Sequence, residues 1–330
     1  MSNIILPPEW KVPENTVTPE QEFNDRREFL KLMGAAGLGL AGALYGRPAW
    51  AETGWFDFKN PLGGKKPDPK EEYAQIDHLI RNTAFTADRP MSEENAALKY
   101  NNFYEFTSEK DRVWKQVEKF QAKPWQVEIG GLVENPVVYD IDDLVRSMSV
   151  EERIYRHRCV EAWAMVVPWS GFPMRALVEK VKPKDKAKYV RFVSFMKPGI
   201  APGQRDPSLP WPYTEGLSME EAMNDLTFLT FGIYGHALPP QHGAPLRVVA
   251  PWKYGFKSAK SIVKIEFTET QPATFWNTLI PREYKFESNV DPDVPHPRWS
   301  QKKERMIGTG DVHPTQKYNG YGKWVAGLYE

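Results

Sequence analysis

Apolar and polar residues alternate most regularly along residues 188–195, and this period of two predicts a β-strand. Residues 125–129 alternate in the same way, and Gly130-Gly131 after them predicts a turn. Residues 153–157 indicate a further strand that leads to Cys159. Further strands are predicted at residues 226–234, 246–250 and 260–268.

Two segments carry helix signals instead. Residues 173–180 begin with Pro173, a residue that suits the first turn of a helix. Ser218-Met219-Glu220-Glu221 has the spacing of a capping box and predicts a short helix through Met223. These short elements and 29 prolines favour an α+β fold in which sheet predominates. No glycine-rich fingerprint opens a helix after a strand, so a doubly wound nucleotide-binding fold is not expected.

Residues 25–51 have the layout of an export signal. Arg26-Arg27 is followed by an uncharged stretch at residues 32–45, and Ala49-Trp50-Ala51 offers a small-x-small cleavage site. The apolar stretch is shorter than the roughly 20 residues that a transmembrane helix needs. The arginine pair and the moderate hydrophobicity indicate the twin-arginine route. A chance Arg-Arg pair is the alternative, but three features occur in the right order, so we expect residues 1–51 to be a signal peptide and the protein to be periplasmic.

The rest of the chain divides into two predicted parts. Residues 52–95 are rich in proline, lysine and polar residues, which predicts an extended arm that lies on the body or is partly mobile. Residues 96–330 have the patterns of a globular domain. Basic and acidic residues number 43 each, and this balance gives no electrostatic reason to expect nucleic acid or an anionic membrane as a partner.

Cys159 is the only cysteine of the chain, so it cannot form an internal disulfide. Its sequence neighbours Arg153, Arg156, His157 and Arg158 predict a lowered thiol pKa, because nearby positive charge favours the thiolate. A thiolate attacks electrophiles or binds soft metals. The alternative is a buried cysteine that acts as a small apolar side chain. In an oxidising compartment, an unpaired thiol is expected to be hidden or occupied.

Common catalytic signatures are missing from the sequence. It contains no His-Glu-x-x-His run, no Gly-x-Ser-x-Gly elbow and no P-loop, which argues against a zinc enzyme of the usual type, an α/β-hydrolase and a P-loop enzyme. A cysteine hydrolase that pairs Cys159 with a distant histidine is an open hypothesis, although the flanking residues fit no such signature.

Two clusters suggest a binding site. Residues 100–106 mix aromatic side chains with amide and carboxylate groups, and residues 234–247 and 251–260 form a long loop region rich in glycine and basic residues. Glycine lets a backbone approach a ligand closely, and arginine and lysine pair with phosphate. The alternatives are an aromatic patch packed on the core and a solvated basic loop.

Taken together, these segments resemble the sulfite-oxidase superfamily of molybdenum enzymes. The resemblance is carried by residues 100–106, 151–168, 238–247, 251–260 and 296–301. It is strongest to the exported bacterial branch, the periplasmic protein-methionine-sulfoxide reductases, and the twin-arginine signal agrees with it. The resemblance implies a sheet-rich α+β molybdopterin-binding domain at residues 96–330.

The resemblance also implies a cofactor and its ligands. It implies one molybdenum held by a single molybdopterin without a nucleotide, with Cys159 as the metal ligand and catalytic residue. It implies cofactor contacts from Asn101, Tyr104, Glu105, Ser194, His242, Arg247, Ser258, Ala259 and Lys260. Ser194 stands where the family has threonine, and both offer a hydroxyl. His242 stands where the family has asparagine, and because histidine can carry a charge it affects the potential around the cofactor.

By resemblance, the reaction reduces methionine sulfoxide in exported proteins, with electrons that a membrane haem-containing subunit takes from quinol. The chain has no Cys-x-x-Cys-His motif, so this interpretation requires an external electron donor. Trp163, Trp169 and Trp252 lie near the motifs and could line the mouth of the site or pack in the core.

Two other functions stay open. The same cofactor supports sulfite oxidation or the reduction of small sulfoxides and N-oxides, and a non-catalytic exported binding protein is the alternative from another class. Sulfite oxidation needs an anion pocket rich in arginine. Alternation along a strand would send Arg153 and Arg158 to opposite faces, which speaks against such a pocket.

Overall fold

A computed structural model of the protein describes residues 75–76 and 79–330. The predicted signal peptide at residues 1–51 and residues 52–74 of the predicted arm lie outside the described residues. Within the described part of the chain, no helix is both long enough and apolar enough to cross a membrane.

Strands and short helices are interspersed along the described part of the chain. The strands are β1 (Gln126–Gly131), β2 (Val137–Asp140), β3 (Glu151–Arg158), β4 (Trp163–Pro173), β5 (Tyr189–Ser194), β6 (Thr214–Ser218), β7 (Phe228–Ile233), β8 (His236–Ala237), β9 (Arg247–Val249), β10 (Ile262–Thr268), β11 (Lys303–Met306) and β12 (Val312–Pro314). The α-helices are α1 (Glu94–Lys99), α2 (Val113–Gln116), α3 (Ile141–Arg146), α4 (Met174–Val181), α5 (Met219–Met223), α6 (Phe275–Leu279) and α7 (Gly322–Val325).

Two mixed sheets carry the fold. A five-stranded sheet has the order β2-β1-β10-β5-β6, in which only β1 and β10 run parallel. In the second sheet β4 is central, with β3 and β7 antiparallel to it and β11 parallel. Apolar side chains of both sheets, such as Phe192 and Trp169, belong to one buried cluster. The predicted sheet-rich α+β class is confirmed.

Most elements with a clear local pattern are found where the sequence predicts them. In β5, buried and half-buried residues alternate along its whole length. The capping box of α5 is complete, because Ser218 Oγ accepts a hydrogen bond from Glu221 N (3.1 Å) and Glu221 Oε2 accepts one from Ser218 N (3.0 Å). One detail is wrong: the predicted turn at Gly130-Gly131 is instead the end of β1.

The longest strand, β4, has no signal of its own in the sequence pattern. Ten of its eleven residues are buried, with only Pro173 partly exposed. A strand that has neighbours on both edges and is covered on both faces is apolar throughout, so it lacks the alternation that marks a half-buried strand. Its partner β3 ends at Arg158, and this hairpin positions Cys159.

The described part of the predicted arm lies against β3 and β4. Asn82 N donates a hydrogen bond to Glu152 O (2.8 Å), and Glu152 N donates one to Ile80 O (2.9 Å). Further along, Ser92 N donates a hydrogen bond to Val166 O (2.8 Å). Helix α1 follows at once and leads into residues 100–106.

Candidate active site

Cys159 is the first residue of the tight turn that joins β3 to β4. Its amide donates a hydrogen bond to Trp163 O (2.9 Å), and its carbonyl accepts one from Ala162 N (3.0 Å). Ala162 closes the turn with a left-handed φ of 68°. Because side chains alternate along a strand, His157 and Cys159 share one face of the hairpin, and both line the same cavity.

The thiol of Cys159 is buried, and two N–H groups approach its sulfur. Asn102 Nδ2 lies 3.4 Å from Sγ and the amide of Glu161 lies 3.5 Å from it. Burial, reinforced by the Glu161 carboxylate, raises the pKa of Cys159 to about 12, and Lys110 and Arg158 offset this only in part. The expected lowering of the thiol pKa is therefore wrong. A proton must leave this thiol when it binds a metal.

The basic neighbours offset the effect of burial on the thiol pKa only in part, because their side chains have other partners. Arg153 donates a hydrogen bond to Tyr155 OH (2.9 Å), and its guanidinium lies 3.9 Å from the ring centre of Phe85. Arg156 and Arg158 lie on the opposite face of β3, and both pair with the buried Glu304 at 3.2 and 3.1 Å. None of these three arginines is among the described residues that line the cavity beside Cys159.

Four side chains, here called the support cluster, fix the turn that carries Cys159. The fully buried Arg158 donates to Cys159 O, to Glu304 Oε2 (3.1 Å) and to Gln301 Oε1 (2.9 Å). Gln301 Nε2 and Trp299 Nε1 each donate to Val160 O at 2.8 Å. The support cluster of Arg158, Trp299, Gln301 and Glu304 therefore holds two successive carbonyl groups of the turn.

A cavity with about 780 Å³ of empty space, counted to its open mouth, lies beside Cys159. It brings together eight of the ten predicted site residues, namely Asn101, Tyr104, Glu105, Cys159, His242, Arg247, Ser258 and Lys260. Ser194 and Ala259 lie behind its wall. Ser194 Oγ donates a hydrogen bond to Lys260 O (2.7 Å) and lies 3.4 Å from Glu105 Oε1, and Ala259 is buried beside Lys260.

Residues 100–106 serve both roles that the sequence suggested. Phe103 and Phe106 pack in an aromatic core, with their ring centres 5.0 Å apart. Asn101, Tyr104 and Glu105 line the cavity instead. The aromatic residues thus anchor the segment, and the polar ones form part of the site.

Two glycines allow the loops around the cavity to approach each other. Gly243 has a φ of +92°, and a Cβ atom there would lie 2.5 Å from Lys260 Cβ. A Cβ atom at Gly255 would lie 2.5 Å from His157 Nε2. Only glycine fits such close approaches, so these positions keep His157 and Lys260 beside the cavity.

Several buried polar atoms of the cavity residues have no hydrogen-bond partner among the described residues. They are Asn101 Oδ1 and Nδ2, Asn102 Oδ1, Trp163 Nε1, His242 Nδ1 and Arg247 Nε. Buried polar atoms in folded proteins are nearly always paired, so these atoms call for a polar molecule in the cavity. Amide donors and acceptors beside Arg247 and Lys260 fit the hydrogen-bonding edges of a pterin and its phosphate. The residues present therefore fit a molybdopterin.

His242 presents an acceptor rather than a charge to this cavity. Its Nε2 lies 2.9 Å from Ala97 O, so Nε2 carries the proton and Nδ1 is the free acceptor. Burial, with Arg247 and Lys260 nearby, lowers the pKa of His242 to about 3. A histidine at this position can carry a positive charge, as noted from the sequence. In the folded protein at neutral pH, His242 does not carry it.

Glu105 and Lys260 are the two cavity groups that titrate near neutral pH. Burial raises the pKa of Glu105 to about 7, and Lys260 partly offsets this rise. Burial also lowers the pKa of Lys260 to about 7, assisted by the positive charge of Arg247. Lys260 Nζ donates a hydrogen bond to Asn102 O, next to the amide that approaches the Cys159 sulfur.

The cavity also contains residues that the sequence did not single out as site residues. Asn102, His157, Tyr213, Phe256, Trp276 and Tyr284 all line it. The alternation of β3 points to His157 once Cys159 is chosen, but nothing local marks Trp276 or Tyr284. Of the three tryptophans suggested for the mouth, Trp163 lines the cavity, whereas Trp169 and Trp252 are fully buried.

Comparison with known families agrees with this site. Residues 114–276 match the family described as "Oxidoreductase molybdopterin binding domain". Among solved structures, the sulfane dehydrogenase SoxCD from Paracoccus pantotrophus aligns with a TM-score of 0.39 and 16% identity, over 68% of this chain and 58% of that one. The fold, the cavity and the family match define a molybdopterin-binding oxidoreductase.

Two relatives identify the particular family. The chain is 46% identical over 328 residues to the protein-methionine-sulfoxide reductase catalytic subunit MsrP of Burkholderia mallei. The alignment covers 96% of this chain and 93% of that protein. It is 45% identical over 327 residues to the subunit of the same name from Ralstonia nicotianae, with the same coverage of 96% and 93%. The chain therefore belongs to the family of protein-methionine-sulfoxide reductase catalytic subunits, and it is an oxidoreductase that reduces methionine sulfoxide.

Proposed function

We propose that this protein is an exported, molybdenum-dependent reductase that repairs methionine sulfoxide in periplasmic proteins. The observation that carries this proposal is the position of Cys159. The only thiol of the chain lines a cavity in which buried polar atoms have no partner among the described residues. A thiolate is a suitable ligand for a soft metal, and the unpaired polar atoms suit the pterin that accompanies it.

The side chains of the cavity have distinct roles in this proposal. Cys159 holds the molybdenum, which supplies the oxygen-atom transfer chemistry that no side chain here provides. Asn101, His242 and Arg247 bind and orient the pterin. Each reduction consumes two electrons and two protons and yields the thioether and water. Burial lowers the pKa of Lys260 to about 7, so its Nζ, beside the backbone of Asn102, can donate a proton at neutral pH.

The location and the electron source follow from the sequence rather than from the site. Arg26-Arg27, the apolar stretch and Ala49-Trp50-Ala51 support export by the twin-arginine route. The electrons come from a membrane haem-containing subunit that oxidises quinol. In support of an external donor, the chain has one cysteine and no haem-attachment motif of the Cys-x-x-Cys-His type.

Metal analysis of the protein purified from the periplasm tests the cofactor. We expect about one molybdenum per chain, and viologen oxidation that depends on an oxidised protein substrate. Cys159→Ala should lose both the metal and the activity while its circular dichroism stays unchanged. Full activity of Cys159→Ala, or a metal-free folded chain from a host that makes the cofactor, would refute the assignment.

Cell fractionation tests the location separately. Arg26→Lys combined with Arg27→Lys should leave the precursor in the cytoplasm, because the twin-arginine route requires the arginine pair. Arg47→Lys is a matched control within the same predicted leader, and its product should still reach the periplasm. Export of the double variant at the normal level would contradict the proposed route.

Sulfite oxidation is disfavoured by the geometry. Arg153, Arg156 and Arg158 are bound to other partners and do not line the cavity. Arg247 is the one arginine among the described lining residues. Sulfite should therefore be a poor electron donor for the purified enzyme.

A further inference from the structure

Four aromatic rings form a continuous row along the cavity. We call Phe256, Tyr284, Trp276 and Tyr104, in this order, the aromatic wall. The distances between successive ring centres are 5.2, 5.1 and 5.2 Å, so each ring contacts the next. All four line the cavity that contains Cys159.

The aromatic wall reaches the part of the cavity where Cys159 lies. Tyr284 lines the cavity together with Cys159, Val160 and Glu161. Tyr284 is buried, whereas Phe256, Trp276 and Tyr104 are half-buried. The wall therefore extends from near the thiol to surfaces that solvent can reach.

Neighbouring aromatic residues pack against Trp276 in this wall. Its neighbour on α6, Phe275, is buried and stacks on Tyr213 with ring centres 4.9 Å apart. The hydroxyl of Tyr213 donates a hydrogen bond to Phe256 O (2.7 Å), and the ring centre of Phe275 lies 5.3 Å from that of Trp276. Tyr213 thus holds the backbone of Phe256, and Phe275 packs between Tyr213 and Trp276.

The wall differs chemically from the polar side of the cavity. On the polar side, Asn101, His242 and Arg247 have buried atoms without partners among the described residues. No buried polar atom of the four wall residues is without a partner in the described part of the chain. The polar side therefore suits the pterin, and the wall suits an apolar group.

We propose that the aromatic wall seats the carbon groups of the methionine sulfoxide side chain and that Trp276 is the residue that determines this specificity. The proposal rests on the reductase function above. The sulfur of the substrate carries a methyl, a methylene and an oxygen. With both carbon groups against the rings, the oxygen is directed to the polar side of the cavity. Sulfur and its methyl group pack favourably against aromatic rings.

Three variants of Trp276 test this proposal with an oxidised peptide and with dimethyl sulfoxide as substrates. Trp276→Ala should raise KM for the peptide about tenfold, with kcat changed less than about twofold, because the wall binds without taking part in the chemistry. Trp276→Phe keeps a ring and should stay within about threefold of the wild type, whereas Trp276→Leu should resemble the alanine variant. The small sulfoxide, which lacks the longer side chain, should be affected less.

A tryptophan outside the cavity is the matched control. Trp114 on α2 is half-buried, and its Nε1 donates a hydrogen bond to Asp111 O (2.9 Å). Trp114→Ala should leave KM unchanged. Should Trp276→Ala fail to fold, Phe256→Leu is the second variant and should raise KM for the peptide in the same direction.

Molybdenum content separates the possible outcomes. Raised KM with a full complement of molybdenum supports the wall as a substrate surface. Loss of the metal or pterin from Trp276→Ala would assign the wall to the cofactor and overturn the proposal, as would normal metal content with unchanged KM. Lack of methionine sulfoxide reduction by the wild-type, molybdenum-loaded enzyme would instead overturn the function on which the proposal rests.

Discussion

Individual residues of this protein act as their surroundings dictate, and His242 is the clearest case. It is fully buried beside two cationic side chains, and burial is the main cause that lowers its pKa to about 3. In the unfolded chain the same group has a pKa of about 6.5. At pH values between these two pKa values, His242 binds a proton in the unfolded state but not in the folded state. The free energy of unfolding therefore falls as the pH falls from about 6.5 to about 3.

His242→Asn, which introduces the residue that the family resemblance implies, should reduce this pH dependence of stability. The variant lacks the titrating group, so its free energy of unfolding should fall by about 1 kcal/mol less per pH unit than that of the wild type between about pH 6 and 4. Urea unfolding at several pH values measures both slopes. Parallel slopes would mean that His242 is charged in the folded protein.

The residues that form the site were largely predictable from the sequence, but the pKa of Cys159 was not. Asn101, Glu105, Arg247 and Lys260 do meet in one cavity with Cys159. The predicted thiol pKa was wrong because sequence neighbours on a strand alternate between faces, and burial outweighs the charges that remain nearby.

At the level of elements, the support cluster shows how distant segments build one turn. Arg158 belongs to β3 and Glu304 to β11, and Gln301 lies just before β11. Gln301 uses both ends of its amide, since Oε1 accepts from Arg158 and Nε2 donates to Val160 O. The resemblance had marked residues 296–301, but only the structure gives them the role of fixing the Cys159 turn.

Gln301→Leu should weaken this turn. The substitution leaves Val160 O with one donor fewer and removes an acceptor from buried Arg158, which costs about 1–3 kcal/mol of stability. Because groups that orient a metal ligand affect metal affinity, we expect about tenfold faster loss of molybdenum during dialysis against a chelator.

A neighbouring substitution serves as the control for Gln301. Lys302 is exposed next to it, and Lys302→Ala should keep the metal as the wild type does. Metal content and urea unfolding are measured on both variants. Equal retention of molybdenum in Gln301→Leu and Lys302→Ala would show that the turn does not depend on this amide.

Elements were predictable from the sequence wherever a local pattern defines them. The alternation of β5 and the capping box of α5 are local properties, and both are present in the fold. Strand β4 and the aromatic wall are defined by contacts between distant parts of the sequence: β4 pairs with three other strands, and the ring of Trp276 contacts the ring of Tyr104. No short window of sequence contains that information.

At the scale of the whole molecule, the C-terminal residues are tied to the loop that begins with Pro251 and Trp252. Tyr329 OH accepts a hydrogen bond from Trp252 Nε1 (2.9 Å) and donates one to Glu221 Oε1 (2.6 Å). The same carboxylate oxygen pairs with the fully buried Lys253. One residue from the end of the chain, Tyr329 thus joins α5 to the loop that continues into the cavity.

Tyr329→Phe should destabilise the whole domain. Removal of the hydroxyl leaves the Trp252 N–H group without its partner, and this should lower the free energy of unfolding by about 1–3 kcal/mol. Tyr139→Phe, on the edge strand β2, is the control and should change stability by less than about 0.5 kcal/mol. Denaturant unfolding compares the two, and equal stabilities would contradict the role of the Tyr329 hydroxyl.

The order in which the chain is synthesised gives the support cluster a consequence for biogenesis. Val160 is held by Gln301, 141 residues later, and Arg158 also reaches Thr315, 157 residues later in a chain of 330. A nascent chain therefore carries Cys159 on an unsupported turn until residues 299–315 have been synthesised. A turn that is complete only after these late residues have folded should bind its cofactor after the synthesis of both segments, rather than during synthesis of the strand that precedes Cys159.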